Sequence, residues 1–126
     1  MARAPGASEL VETAYRTWNE SGPRAFVEFT TEDVELHDAP ELPDAQVWVG
    51  RDAVVARLED VVATTGGRWA DMDEIRPLAE EVLVSLTWRL DRGGPALASV
   101  YHVVRLESGR IARVRVFLDQ EAAARA

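Results

Sequence analysis

The sequence predicts an α+β fold in which helices pack on one face of a curved antiparallel sheet. Three observations predict it. Read by apolar spacing, the elements run helix, helix, strand, helix and then four strands in a meander, so helices mostly precede strands. Two runs rich in Val, Ile, Tyr and Phe flank Glu107-Ser108-Gly109, which is the composition and spacing of a β-hairpin with a Gly-assisted turn. Neither strand of that hairpin, Ala96 to Asp119, has a fully polar face. Such a hairpin belongs inside a sheet, with helices over one side and something further, often a partner subunit, over the other.

Residues 1–7 read as a frayed tail. Ser8 is placed to cap a first helix with Glu9 and Glu12 in its first turn, where the macrodipole favours negative charge. Leu10, Val11, Ala14, Tyr15 and Trp18 recur on one face of it, and Ser21-Gly22 ends it. Pro23 suits the first turn of a short second helix carrying Phe26, Val27 and Phe29, which Thr30 to Asp33 closes. Val34 to Asp38 alternates as a strand, with Val34, Leu36 and Asp38 sharing a face. Pro40 and Pro43 then break the chain, and Ala39 to Val49 reads as a loop containing Trp48. Asp52 caps a third helix whose buried stripe is Val54, Leu58, Val61 and Val62, and Gly66-Gly67 stops it. Arg68 to Leu78 is an edge or bent strand because of Pro77, and Val82 to Leu90 is a clearer one. Residues 120–126 form a polar, Ala-rich tail. There is no internal repeat, and residues 1–126 are read as a single domain.

The chain has 126 residues, of which 47% are hydrophobic and 29% charged, which fits one globular domain with a real core. A net charge of −8 argues against nucleic acid or an anionic membrane surface as partner, since either needs a basic footprint. No Cys is present, which excludes disulfides and thiolate chemistry. All 14 basic residues are Arg, so Schiff-base chemistry on Lys is excluded as well. Neither a signal peptide nor a membrane span is found, so the expected location is cytoplasmic.

The element order, with Trp18 near the end of the first helix, Gly50-Arg51-Asp52-Ala53-Val54 opening the third and Gly109 to Asp119 closing the chain, resembles the nuclear transport factor 2-like superfamily. Within it the chain is similar to the SnoaL-like polyketide cyclases and ketosteroid isomerases over nearly all of residues 8–119. The resemblance implies a cone: a curved antiparallel sheet, a half-barrel, wrapped around N-terminal helices and enclosing an apolar cavity. It also implies a homodimer across the outer face of the sheet. Aligning the terminal hairpin without gaps points Tyr101, Val103, Val114, Val116 and Leu118 inward and sends Val100, His102, Val104 and Leu106 outward, toward a partner subunit.

Asp38, in Leu36-His37-Asp38-Ala39-Pro40, resembles the general base of ketosteroid isomerases. A carboxylate in apolar surroundings can take a proton from the carbon beside a carbonyl and return it elsewhere. The handled chemistry is that of a well-known isomerase and is carried over by resemblance. By the same resemblance Tyr101 takes the oxyanion-hole position, and Tyr15, one position from the matching Ala14, is the candidate second donor. Trp18, Trp48, Leu58, Trp88, Val103, Val116 and Leu118 are expected to bind substrate, although plain core packing explains Trp18 and Trp88 equally well. Asp119 closes the last strand and is expected to cap the tail or bond a backbone amide. His102 is expected at the dimer interface. With two His and no Cys, no metal site and no cofactor are expected, and Asp71-x-Asp73-Glu74 lacks the Gly and terminal Glu of a calcium loop.

Two functions follow. One is a small cofactor-free isomerase or cyclase using carboxylate general acid–base catalysis on a hydrophobic carbonyl compound of polyketide or steroid type. The alternative is a non-catalytic module of the same superfamily that binds a hydrophobic ligand or serves as a dimeric accessory protein.

Overall fold

The computed structural model describes residues 6–126. Of the tail expected over residues 1–7, residues 1–5 lie outside the described residues, and Ala7 already belongs to a helix. The elements are α1 (Ala7–Ser21), α2 (Pro23–Val27), β1 (Thr30–His37), β2 (Val47–Val49), α3 (Arg51–Thr65), β3 (Trp69–Leu78), β4 (Glu81–Arg89), β5 (Ala96–Glu107), β6 (Arg110–Phe117) and α4 (Gln120–Arg125). Six strands form one open, curved sheet in the order β2-β1-β6-β5-β4-β3. The β1–β6 pair is parallel and every other pair antiparallel. The expected α+β architecture is present, with α1, α2 and α3 on the inner face.

Helical spacing buries Val11, Ala14, Tyr15 and Trp18 of α1, and these meet Phe26 of α2, Val54 and Val55 of α3 and the inner rows of the sheet in one core. Asn19 fastens α1 to the sheet edge. Its side chain donates to the Ala70 carbonyl at 2.9 Å and accepts from the Ala70 N–H at 2.8 Å, occupying edge groups of β3 that would otherwise stay open.

Local boundaries differ from the sequence reading where backbone geometry outweighs side-chain capping. Gly6 rather than Ser8 is the N-cap of α1, and Gly50 rather than Asp52 that of α3. Thr30 does not extend α2. Its hydroxyl bonds the Val27 carbonyl at 2.6 Å, and β1 begins there because Ile111 N–H donates to the Phe29 carbonyl. The expected loop Ala39–Val49 contains a strand, β2, too short for its alternation to register. Leu36 of β1 holds it opposite Trp48.

The largest correction concerns the terminal hairpin. Ser108 and Gly109, both at positive φ (52° and 75°), make the two-residue turn, with Glu107 opposite Arg110 and Leu106 opposite Ile111. Beyond it Arg105 pairs with Arg113, so one step along β5 is matched by two along β6, and Ala112 is the extra residue of a β-bulge. A one-residue slip exchanges the faces of a strand. The pairs are therefore Val104 with Val114 and His102 with Val116, while Tyr101 opposes Phe117. Val114 and Val116 face inward as expected, and with them Val104, His102 and Val100. The ungapped alignment had placed Tyr101 and Val103 there instead.

Val103 lies on the outer face, fully buried with Leu83 and Ala123, and Tyr101 and Phe117 pack against that group. Its cover is α4, capped by Asp119, whose carboxylate accepts from Ala122 N–H at 3.0 Å. Residues 120–126 thus carry a docked helix. The row Val100, His102, Val104 and Leu106, expected to meet a partner subunit, belongs to the inside of this fold.

Candidate functional site

Between the helices and the concave face of the sheet lies an apolar cavity of about 490 Å³, within the range of small-molecule sites. Of the residues expected there, Asp38, Tyr15, Trp18, Leu58, Trp88, Val116 and Leu118 line it. Tyr101 and Val103 do not, because the bulge at Ala112 puts them outside. Trp48 is also absent from its wall: its ring packs against the core, and its indole N–H points to Asp38. His102, Val100, Arg57 and Val114 line the cavity as well. Leu42 and Leu118, 41% and 43% exposed, stand at its open end.

Trp88 reaches the wall because Gly67 leaves room for it. A Cβ at Gly67 would fall 2.3 Å from the indole nitrogen, which instead donates to Thr65 Oγ1 at 3.1 Å. Trp18 lies against both Trp88 and Phe26, with ring centroids 5.9 and 6.0 Å apart. The rings meet tilted and edge-on, at 56° and 86°, rather than stacked.

Two polar groups interrupt the apolar lining. The first is built on Asp38, just past the end of β1. Its Oδ1 accepts from Arg57 Nε at 3.0 Å, and its Oδ2 from Trp48 Nε1 at 3.2 Å and Gln46 N–H at 3.1 Å. Arg57, from α3, also donates to Asp60 at 3.1 Å, and its guanidinium lies 5.5 Å from the centre of the Trp48 ring. The Asp38 side chain is only 7% exposed, so this ion pair is largely removed from water. A carboxylate has about four lone-pair sites. Three hydrogen bonds leave it one direction in which to act on a ligand.

The second group pairs Tyr15 of α1 with His102 of β5, the phenol oxygen lying 2.6 Å from Nδ1. Tyr15 rests on Phe26, with centroids 5.2 Å apart, and His102 sits between Val84 and Val116 on the neighbouring strands. Burial among apolar groups penalises either charged form. It pulls His102 down to about 4 and pushes the Tyr15 phenol above its usual value. Both side chains are neutral near pH 7. Sequence reasoning missed His102 because of the bulge, although its row, apolar from Val100 to Leu106, contained the signal; the competing row ends in Arg105.

Two further titratable clusters are paired among themselves. His37 pairs with Glu35 at 2.8 Å. Asp71 is held below the usual carboxylate range by hydrogen bonds from Arg89 and then Trp69, at the β3–β4 edge. Among the described residues no cluster of three or more His, Cys, Asp or Glu is placed to hold a metal ion, and no helix is long and apolar enough to cross a membrane.

Residues 11–114 match the family model of the SnoaL-like domain. The chain belongs to that family. Among solved structures it is similar to a protein from a soil-derived mobile gene cassette, at 21% identity and a TM-score of 0.74 over 92% of this chain and 91% of that one. It is also similar to a proposed polyketide cyclase of Sinorhizobium meliloti, at 16% identity and a TM-score of 0.69, covering 85% and 92% of the two chains. A proposed SnoaL-like isomerase of Agrobacterium tumefaciens shares 23% identity, with a TM-score of 0.68 and coverage of 87% and 94%. Likeness at this level of identity speaks for the fold, which hosts many functions. No curated protein matches the chain.

Proposed function

We propose that this SnoaL-like domain is a cofactor-free enzyme of the isomerase or cyclase type, acting on a neutral, largely apolar carbonyl compound. Asp38 takes the proton from the carbon beside the carbonyl, and Tyr15, backed by His102, holds the oxygen. Tyr101 has no part in it. One observation carries the reading: a single apolar cavity is lined both by a carboxylate, Asp38, and by a neutral phenol paired with an imidazole. General acid–base catalysis needs a group that removes a proton and one that steadies the charge left on oxygen.

The test is deuterium exchange from solvent into 1-tetralone, an enolisable bicyclic ketone, followed by proton NMR. The protein should accelerate exchange at the carbon beside the carbonyl, and Asp38→Asn should remove the acceleration while leaving affinity for the ketone near that of the parent. Bound ketone that exchanges no faster than in buffer contradicts catalysis. The three N–H groups already on Asp38 favour a second reading, in which the domain binds a hydrophobic ligand without turning it over. The homodimer expectation loses the support it drew from Val100, His102, Val104 and Leu106, since that row is internal.

A further inference from the structure

A second pocket, of about 290 Å³, lies across the sheet from the cavity, and its walls include Asp73, Glu74, Ser85, Ser99, Tyr101 and Gln120. Tyr101, on the outer face, stands opposite Ser85, and Ser85 opposite Glu74, so one row crosses three strands. Asp73 joins it through a second β-bulge: Met72 pairs with Leu86 and Glu74 with Ser85, so Asp73 is the extra residue of β3. Successive strand residues ordinarily point to opposite faces. Here two carboxylates in succession line one pocket. Among the described residues neither has an arginine partner, since Arg89 is held by Asp71 and Asp73 accepts only from Thr87 Oγ1, at 2.5 Å. The buried member of the row adds an independent signal. Ser85 is 8% exposed, and its Oγ is buried without a hydrogen-bond partner among the described residues. Its side chain shares the outer face with the pocket, because its strand neighbours Val84 and Leu86 belong to the inner core. A buried hydroxyl left unpaired costs stability, and a ligand that bonds it recovers the loss.

We propose that this outer pocket binds an organic ammonium cation. An ammonium group carries three N–H donors and no acceptor. Asp73 and Glu74 supply the opposite charge, and the Ser85 oxygen takes the remaining N–H. The donor set decides the class of ligand. An anion would meet two carboxylates. A divalent metal ion asks for more charged oxygens than the pocket has, and among the described residues no group of three or more His, Cys, Asp or Glu is placed to hold one. Hydroxyl oxygens on the pocket wall, from Ser85, Ser99 and Tyr101, each accept from an N–H without a change of charge. The net charge of −8 draws cations toward the chain as a whole. The inference is independent of the functional reading of the cavity, from which the sheet separates it.

Titration with butylamine, 1-butanol and butyrate, followed by backbone amide NMR at neutral pH, tests this on probes of one length. In the parent, butylammonium should shift the amides of Glu74, Ser85, Ser99 and Tyr101 and bind about fivefold or more tighter than 1-butanol, with butyrate weakest. Glu74→Gln and Ser85→Ala should each weaken butylammonium by about fivefold and leave 1-butanol unchanged. Ser85→Ala should melt no lower than the parent, because it removes an unpaired hydroxyl, so its loss of binding is not a loss of fold. Equal affinity for the amine and the alcohol overturns the proposal. So do amine shifts spread evenly over the acidic surface, or binding that survives both substitutions, either of which reduces the effect to the attraction of any cation by the net charge.

Discussion

The two polar groups of the cavity solve the same problem in opposite ways. Asp38 and Arg57 form an ion pair, with Trp48 and the Gln46 amide completing the carboxylate's partners. Tyr15 and His102 carry no charge and need only each other. A charge drawn out of water must be paired, and the pairing occupies the lone pairs that chemistry would use. A neutral pair is satisfied by one bond. One part of the cavity wall thus holds an ion pair, and another a neutral hydrogen-bonded pair.

Substitutions can break this contrast. Asp38→Asn has the largest expected effect, lowering the exchange rate of 1-tetralone by roughly 10²–10⁴-fold, the usual worth of a general base. Arg57→Met leaves a largely buried carboxylate without its counter-charge and should destabilise the fold by about 3 kcal/mol in urea titration. The neutral pair carries a pH dependence of its own. His102, lowered to about 4 in the fold, binds its proton more readily in the unfolded chain, whose His titrates near 6.5. Stability from this group is therefore full above about pH 6.5 and is lost as pH falls toward 4, by at most about 3 kcal/mol. His102→Phe should flatten that part of the melting-temperature profile. Tyr101→Phe, on the far side of the sheet, should change exchange and ligand affinity least of all, remaining within about twofold of the parent; a loss comparable to that of Tyr15→Phe would return Tyr101 to the cavity.

The helices and strands were legible because their apolar residues recur at the period of each element. Val11, Ala14, Tyr15 and Trp18 mark the buried face of α1, and Val82, Val84 and Leu86 the inner row of β4. The face exposed to the cavity was less legible, since it depends on one residue. Ala112 is small, and nothing in its type announces a bulge. The signal is indirect: Ile111 and Val114 are both inward although their spacing is odd, which only an extra residue allows. Asp38 could be placed at the end of an inward row from sequence. Its partner Arg57, on α3, could not, because a contact between a strand end and a helix is set by packing rather than by local spacing.

The registers with and without the bulge put the same imidazole on opposite sides of the sheet, so its titration decides between them. Nitrogen-15 NMR of the two His side chains, assigned with His102→Phe, is the most direct measurement. His102 is predicted to stay neutral until the pH falls to about 4, with Nδ1 perturbed by Tyr15→Phe. Titration near 6.5, unaffected by Tyr15→Phe, would place His102 on the solvent side of the hairpin and contradict the cavity described here.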